Sequence, residues 1–143
     1  MTIMTRKHKS FFESAKAVSK MSDFKRVHIG CIVTDGHRII SSGFNTNKTH
    51  PVQKRLNKER FDEDTRHTLH SEVAALLPIM KEDIDFNKVE VFTYREYING
   101  GMAMSRPCPS CMRLIKELGI KKIWYTTPDG YAFETLKDGD DDD

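Results

Sequence analysis

The segment PCPSC at residues 107–111, read together with HSE at residues 70–72, decides how this chain can be interpreted. Two cysteines three positions apart can hold one metal ion from the first turn of a helix, but redox sites and structural zinc sites share this C-x-x-C spacing. An H-x-E followed by P-C-x-x-C is far more specific, because it supplies three zinc ligands and a carboxylate. The two segments therefore predict a zinc site assembled from distant parts of the chain.

The donor set favours a catalytic zinc over a structural one. His70, Cys108 and Cys111 supply three ligands, and a catalytic zinc keeps its fourth position for water. Glu72 follows His70 by two residues, so it can stand beside the metal and move protons without binding it. Cys31 is the only other cysteine and lies inside an apolar run. A structural zinc site and a dithiol redox site remain the alternatives.

These motifs resemble those of the cytidine/deoxycytidylate deaminase superfamily, which also contains tRNA adenosine deaminases and polynucleotide cytosine deaminases. Thr49-His50-Pro51 also looks like a motif of phage and viral deaminase-like proteins. The resemblance implies Zn²⁺ as cofactor and attack of an activated water on C4 of cytosine. It also implies that Glu72 takes the proton of that water, delivers it to the ring nitrogen and helps ammonia leave.

Length and composition predict one soluble globular domain. The chain has 143 residues, of which 38% are hydrophobic and 31% charged. No apolar run approaches the roughly 20 residues of a membrane helix, so no membrane partner is expected. Three cysteines, two of them in a metal spacing, fit a cytoplasmic protein better than a disulfide framework. We predict a single zinc-dependent domain over residues 1–137.

Charge is distributed unevenly along the chain. The net charge is +2, yet residues 138–143 contain five aspartates, and we predict that this acidic tail is disordered by self-repulsion. Without those five, 23 basic residues face 16 acidic ones, which gives the body a charge of +7. A basic body suits an anionic partner such as a nucleotide or a nucleic acid. An excess of lysine that only aids solubility is the equal alternative.

Hydrophobic periodicity predicts helices over residues 10–21, 70–80 and 108–118. It predicts strands over 27–34, 37–44, 88–94, 121–127 and 131–136, and a short helix near 53–62 within a long loop. Ser10 is the predicted cap of the first helix, and Asp35-Gly36 predicts a two-residue hairpin turn. The short turn Pro128-Asp129-Gly130 forces the last two strands to be antiparallel.

The fold predicted is a three-layer α/β/α domain of the cytidine-deaminase-like type, with a mixed five-stranded sheet whose fifth strand is antiparallel. By resemblance, free-nucleoside cytidine deaminases have this antiparallel strand, whereas the tRNA-editing and polynucleotide-editing branches place a helix there and run the strand parallel. The two helices that carry the zinc ligands should lie side by side, with their N-terminal ends converging on the metal.

Asn45, His50 and one of two arginines are the candidates for substrate contact. The resemblance assigns the substrate's sugar hydroxyl to Asn45, and the alternative is an asparagine that tolerates a turn. His50 lies in the long loop, where a substrate contact and a solvated histidine are equally favoured. Arg106, directly before the proline of the second motif, is a candidate partner for a substrate phosphate, as is Arg95; surface arginines are the alternative.

The function predicted is zinc-dependent hydrolytic deamination of a cytosine nucleoside or nucleotide, namely cytidine, deoxycytidine or dCMP. One alternative is a deaminase acting on bases of single-stranded DNA or tRNA. The lysines and arginines of the long loop over residues 45–69 support it, and the short final turn opposes it. A second alternative is a non-catalytic, zinc-stabilised binding module, which has no need of Glu72. The resemblance also implies a homo-oligomer.

Overall fold

The computed structural model describes residues 4–23, 27–47, 51–59 and 69–136. Their helices and strands follow in the order α1 (Arg6–Ser19), β1 (Val27–Thr34), β2 (Ile39–Phe44), α2 (Pro51–Glu59), α3 (Ser71–Leu76), β3 (Glu90–Tyr97), α4 (Pro109–Leu118), β4 (Lys122–Thr127) and β5 (Gly130–Thr135). A 3₁₀ turn over Phe86–Lys88 leads into β3. Residues 138–143, predicted to form the acidic tail, lie outside the described residues.

The five strands form one mixed sheet in the order β2-β1-β3-β4-β5. β1 lies antiparallel to both β2 and β3, β3 and β4 are parallel, and β5 returns antiparallel to β4. The antiparallel fifth strand follows from its short connection, because Thr127 pairs directly with Gly130. The predicted mixed sheet and its antiparallel last strand are confirmed.

Helices cover both faces of the sheet, which gives the three predicted layers. α1 packs on one face against aromatic side chains; the buried residues there are Phe11, Phe12, Ala15, Ile32, Phe92, Tyr94 and Trp124. α3 and α4 cover the other face, which is mainly aliphatic; its buried residues include Cys31, Val33, Val73, Val91, Cys111, Ile115 and Ile123. α2 packs against α4. Alternation along each strand sends neighbouring residues to opposite faces.

The start of α1 and the first hairpin differ from the predictions. Thr5, not Ser10, caps α1: its hydroxyl accepts from the His8 backbone N–H, while His8 Nδ1 accepts from the Thr5 N–H. The first hairpin is longer than two residues, because the Asp35 carboxylate accepts from the backbone N–H groups of His37 and Arg38. Those hydrogen bonds hold a four-residue turn, so β2 begins at Ile39.

Two further boundaries moved. Strand β3 continues to Tyr97, beyond the predicted end at Tyr94, and turns back through Gly100 so that Glu96 forms a bridge with Met102. Helix α3 ends at Leu76, four residues earlier than predicted, just before Pro78, which cannot donate to the helix. Gly119 ends α4 with φ of +94°, the left-handed conformation expected of a glycine stop. None of the helices in the described part of the chain is long and apolar enough to cross a bilayer.

Candidate active site

Three side chains from two distant segments converge at one point. The ligand atoms of His70, Cys108 and Cys111 all lie within 4.8 Å of one another. His70 Nδ1 is 3.3 Å from the sulfur of Cys111 and 3.5 Å from that of Cys108. Tetrahedral zinc with Zn–N and Zn–S bonds of about 2.1 and 2.3 Å would place such pairs about 3.6 Å apart. The cluster therefore fits zinc with little rearrangement.

The starts of two helices bring the ligands together. His70 is the N-cap residue of α3 and Cys108 is the N-cap residue of α4, and neither side chain makes a capping hydrogen bond to its own helix. Pro109 occupies the first position of α4, where its missing N–H breaks no hydrogen bond. Cys111 lies in the first turn, so both sulfurs stand at the positive end of α4, which stabilises thiolates.

The third thiol of the chain does not join this cluster. Cys31 is fully buried on the same face of the sheet, and its sulfur contacts the backbone carbonyl of Ile32 at 3.8 Å. Burial raises the pKa of the Cys31 thiol well above its ordinary value. Among the described residues, the cluster of His70, Cys108 and Cys111 contains no further histidine, cysteine or carboxylate that could serve as a fourth ligand. A zinc ion bound by three protein ligands would keep a position for water.

Glu72 is a buried carboxylate beside the cluster. Glu72 has only 6% of its surface exposed. The Ser71 hydroxyl donates a hydrogen bond to one oxygen of its carboxylate at 2.7 Å. Burial raises the pKa of Glu72 and the neighbouring Cys108 sulfur adds to that rise, while His70 and Ser71 oppose it. A carboxyl whose pKa is moved toward neutrality is suited to accept and return a proton.

The two cysteines of the cluster have pKa values shifted in opposite directions. The hydrogen bond from Cys111, with further help from His70, lowers the pKa of Cys108 to about 4. The same hydrogen bond and its burial raise the pKa of Cys111. The arrangement therefore favours a thiolate at Cys108, and binding of zinc would displace the proton of Cys111.

A cavity of about 270 Å³ opens onto this site. Its wall includes the metal-site residues His70, Glu72 and Cys108, and apolar side chains from β1 and the β3–α4 loop; those apolar side chains are Val27, Ile29 and Met104. Such a volume lies just below the roughly 300–1,000 Å³ typical of ligand sites. The cavity therefore suits one small ligand whose reactive end reaches the metal cluster.

Asn45 lines the same cavity and holds the edge of β1. Its side-chain oxygen accepts from the Ile29 N–H at 2.9 Å, and its amide donates to the Val27 carbonyl at 3.3 Å. The residue is buried, with 4% of its surface exposed. Its contact with a substrate sugar stays a prediction, and its bonds to β1 show a positioning role that the sequence did not indicate.

Arg106 reaches the cavity already bound to a carboxylate. Its Nε and Nη2 donate to the two oxygens of Glu134 on β5, at 2.6 and 3.1 Å. This bidentate pair raises the pKa of Arg106 and lowers that of Glu134. A phosphate contact by Arg106 stays a prediction. His50, the third predicted substrate residue, lies outside the described residues.

Two supporting residues had no signal in the sequence. Gln53 of α2 is fully buried, and its side-chain oxygen accepts from the backbone N–H of His70 at 3.1 Å. Ser105 donates to the Thr93 carbonyl at 3.0 Å and accepts from the Thr126 N–H at 2.7 Å, which fixes the segment before Arg106 and Cys108. Polar residues in loops are common, so only the folded arrangement distinguishes these two.

Comparison with known proteins agrees with this geometry. Residues 5–127 match the family profile described as the cytidine and deoxycytidylate deaminase zinc-binding region. An uncharacterised deaminase encoded in the luxG 3′ region of Aliivibrio fischeri is 28% identical over 116 residues, covering 81% of this chain and 69% of that protein. The deoxycytidylate deaminase of Schizosaccharomyces pombe is 29% identical over 126 residues, covering 82% of this chain but only 36% of its own length.

Solved structures show the same fold. The dCMP deaminase of cyanophage S-TIM5, in complex with dCMP and dUMP, superposes with a TM-score of 0.61 at 22% identity, over 87% of this chain and 85% of that one. Cytidine deaminase from Burkholderia pseudomallei gives 0.61 at 15% identity, over 94% and 93% of the two chains. At these identities the likeness establishes the fold alone.

Proposed function

The chain belongs to the cytidine and deoxycytidylate deaminase family, and from that membership we propose that it hydrolyses the 4-amino group of cytosine in a nucleoside or nucleotide. The observation that carries the proposal is the juxtaposition of an open three-ligand cluster with Glu72 in one cavity. The reaction converts a cytosine compound and water into the uracil compound and ammonia.

The chain's own residues account for binding the metal and for moving protons. We propose that His70, Cys108 and Cys111 hold Zn²⁺. Zinc in such a site acts as a Lewis acid that lets a water molecule lose its proton near neutral pH. Glu72 accepts that proton and passes it to the ring nitrogen N3 as the water oxygen adds to C4. Glu72 then takes the second proton of that oxygen and gives it to the amino group, so that the C4–N bond breaks and ammonia leaves. Ser71 donates to one Glu72 oxygen and so orients the carboxylate for this exchange.

The apolar wall of the cavity is proposed to bind the base of the substrate, and Asn45 is proposed to bind its sugar. Val27, Ile29 and Met104 offer the flat apolar surfaces between which a pyrimidine ring can lie. Asn45 places a fixed amide at the same wall, and a sugar hydroxyl is the proposed partner of its remaining hydrogen-bonding capacity. Because the Glu72 side chain is buried, bulk water is kept from the proton-transfer step.

A polynucleotide substrate is the second candidate, and the described cavity favours it less. Single strands are usually held by aromatic side chains on which successive bases stack. Among the described residues that line the cavity, no phenylalanine, tyrosine or tryptophan is present. The antiparallel β5 also differs from the parallel fifth strand that the resemblance implies for the tRNA-editing and polynucleotide-editing branches.

The test is ammonia release by the zinc-loaded protein from cytidine, deoxycytidine, CMP, dCMP and a short cytosine-containing oligonucleotide. We expect turnover of at least one mononucleoside or mononucleotide. Glu72→Gln should keep one zinc per chain by elemental analysis, yet lose on the order of 10²–10⁴-fold in kcat. Full turnover by Glu72→Gln would refute the proton-carrying role. Absence of ammonia from every compound, with zinc bound, would favour a non-catalytic binding module.

A further inference from the structure

Two arginines reach the cavity, and they differ in what they bind. Arg106 places its guanidinium on both carboxylate oxygens of Glu134. Arg95 donates from Nη1 to the Met104 carbonyl at a long 3.4 Å, and its Nε is buried without a hydrogen-bond partner. No carboxylate in the described part of the chain forms an ion pair with Arg95. The charge of Arg106 is therefore compensated by Glu134, whereas no carboxylate of residues 4–23, 27–47, 51–59 or 69–136 compensates that of Arg95.

The Arg95 Nε stands out in the described residues, because it is the one buried side-chain nitrogen or oxygen there that lacks a partner. A buried donor without an acceptor costs free energy, and proteins rarely leave one without a functional reason. The cost rises when the donor carries a charge. An acceptor that arrives with a ligand would remove this cost, and the Arg95 side chain lines the cavity in which a ligand would sit.

The backbone of Arg95 is held firmly, so the side chain starts from a fixed point. Its N–H donates to the Thr126 hydroxyl at 3.2 Å, and its carbonyl accepts from the Ala103 N–H at 2.9 Å. Arg95 also stands opposite Ile29 in the β1–β3 ladder. Groups carried by strands are positioned more accurately than groups carried by loops. The Arg95 guanidinium is therefore positioned in advance to contact a ligand in the cavity.

We propose that Arg95 binds the 5′-phosphate of a nucleoside monophosphate whose base lies at the metal cluster, an inference that rests on the proposed function. The guanidinium fork matches phosphate oxygens in geometry and charge. A neutral carbonyl such as O2 of cytosine would satisfy one N–H but would leave the charge uncompensated. Because the Arg106 guanidinium is already paired with Glu134, we assign the phosphate contact to Arg95 and not to Arg106.

Kinetics on paired substrates test the assignment. We expect the wild-type protein to prefer dCMP over deoxycytidine. Arg95→Gln should lower kcat/KM for dCMP by about 10- to 100-fold, mainly through KM, with less than about a threefold change for deoxycytidine. Inorganic phosphate should compete with deoxycytidine less well in Arg95→Gln than in the wild type. Arg113→Gln, which removes an arginine on the exposed side of α4, is the matched control and should change neither substrate.

Three results would overturn the assignment. Equal losses for dCMP and deoxycytidine in a folded, zinc-loaded Arg95→Gln would indicate a contact to the base. Equal wild-type activity on the two substrates would show that the phosphate is not recognised. Loss confined to a cytosine-containing oligonucleotide, with dCMP unaffected, would assign Arg95 to a polynucleotide backbone.

Binding of the products separates this inference from the proposed function. Calorimetry with dUMP and deoxyuridine needs no turnover, and we expect the wild type to bind dUMP more tightly and Arg95→Gln to lose that difference. If the zinc-loaded wild type releases no ammonia but keeps the dUMP preference through Arg95, the deamination proposal fails and the phosphate contact stands. If deamination proceeds and Arg95→Gln keeps the dUMP preference, only the phosphate contact fails.

Discussion

The side chains buried on the two faces of the sheet differ in chemistry: one face buries aromatic rings, and the other buries a carboxylate and thiols. Under α1, rings pack on rings: Phe92 and Trp124 are stacked with centroids 5.4 Å apart, and Phe12 meets Phe92 edge-on at 5.3 Å. The one polar atom of Trp124, its indole nitrogen, donates to Glu90 at 2.8 Å. On the other face, α3 and α4 bury Glu72 beside Cys108 and Cys111. One face is hydrophobic and satisfied, while the other holds charge that its own packing does not compensate.

This difference separates the sources of stability and of function. Burial of large aromatic side chains contributes to folding in proportion to the area removed from water. A buried carboxylate and a buried cysteine pair lower stability unless a metal or ligand completes them. We infer that burial of the aromatic face offsets the loss of folding free energy caused by the buried polar groups of the other face, because both faces belong to the same five-stranded sheet.

A matched pair of glycines connects the faces to their helices. Gly30 of β1 faces α1, and a Cβ there would overlap the backbone of Ala15 and Ser19. Gly43 of β2 faces α3, and a Cβ there would overlap the backbone of Ala74 and Ala75. Each glycine thus lets one helix approach the sheet closely, but of these two helices only the one opposite Gly43 begins at a proposed metal ligand, His70.

The largest effect should come from removing one sulfur of the cluster. Cys108→Ala deletes one of the three proposed zinc ligands, so we expect loss of stoichiometric zinc and of all measurable deamination. Elemental analysis and ammonia release report the two losses separately. Cys31→Ala removes a thiol from the same face but outside the cluster, and it should retain zinc and activity. Loss of zinc in Cys31→Ala would place that sulfur in the site.

A smaller effect should distinguish the two glycines. Gly43→Ala should push α3 from the sheet and move Glu72, so that kcat/KM per zinc-loaded molecule falls by about 10- to 100-fold. Gly30→Ala should displace α1 instead and cost about 1–3 kcal/mol of unfolding free energy, with kcat/KM of the folded protein unchanged. Urea unfolding and steady-state kinetics on both variants give the comparison. Equal activity losses would show that the faces are mechanically coupled.

The smallest effect concerns the ion pair at the cavity rim. Because Arg106 lowers the pKa of Glu134 below its ordinary value of 4.5, the pair contributes stability above about pH 4.5. This contribution disappears as pH falls through the lower folded-state pKa. Glu134→Gln should therefore cost about 1 kcal/mol at pH 7 and progressively less in acid. Urea unfolding between pH 7 and 3 measures the difference.

Glu117→Gln is the control for that measurement. Glu117 pairs with Arg113 on the solvent side of α4, where an i,i+4 ion pair contributes only about 0.3–0.5 kcal/mol. We expect this variant to differ from the wild type by less than Glu134→Gln at pH 7. A Glu134→Gln protein whose stability deficit grows in acid would contradict the assigned direction of the pKa shift.

Local sequence patterns determined the zinc-ligand prediction and most of the fold. The C-x-x-C spacing puts two sulfurs on one helical turn, and H-x-E puts a carboxylate beside an imidazole, so these arrangements need little tertiary information. The antiparallel β5 likewise followed from a turn too short for a crossover. The length of the turn after β1 was predicted wrongly. The Asp35 carboxylate accepts from the backbone N–H groups of His37 and Arg38 and so stabilises a four-residue turn in place of a two-residue one.

The tertiary structure alone decided which arginine is free. Arg106 and Glu134 are 28 positions apart, and Gln53 and His70 are 17 apart, so each contact exists only because strands and helices bring them together. In the sequence, Arg95 and Arg106 are equivalent cations near one motif. In the folded chain both line one cavity, but among the described residues only Arg106 is paired with a carboxylate. Ion pairing depends on distances between side chains, which a linear pattern does not contain.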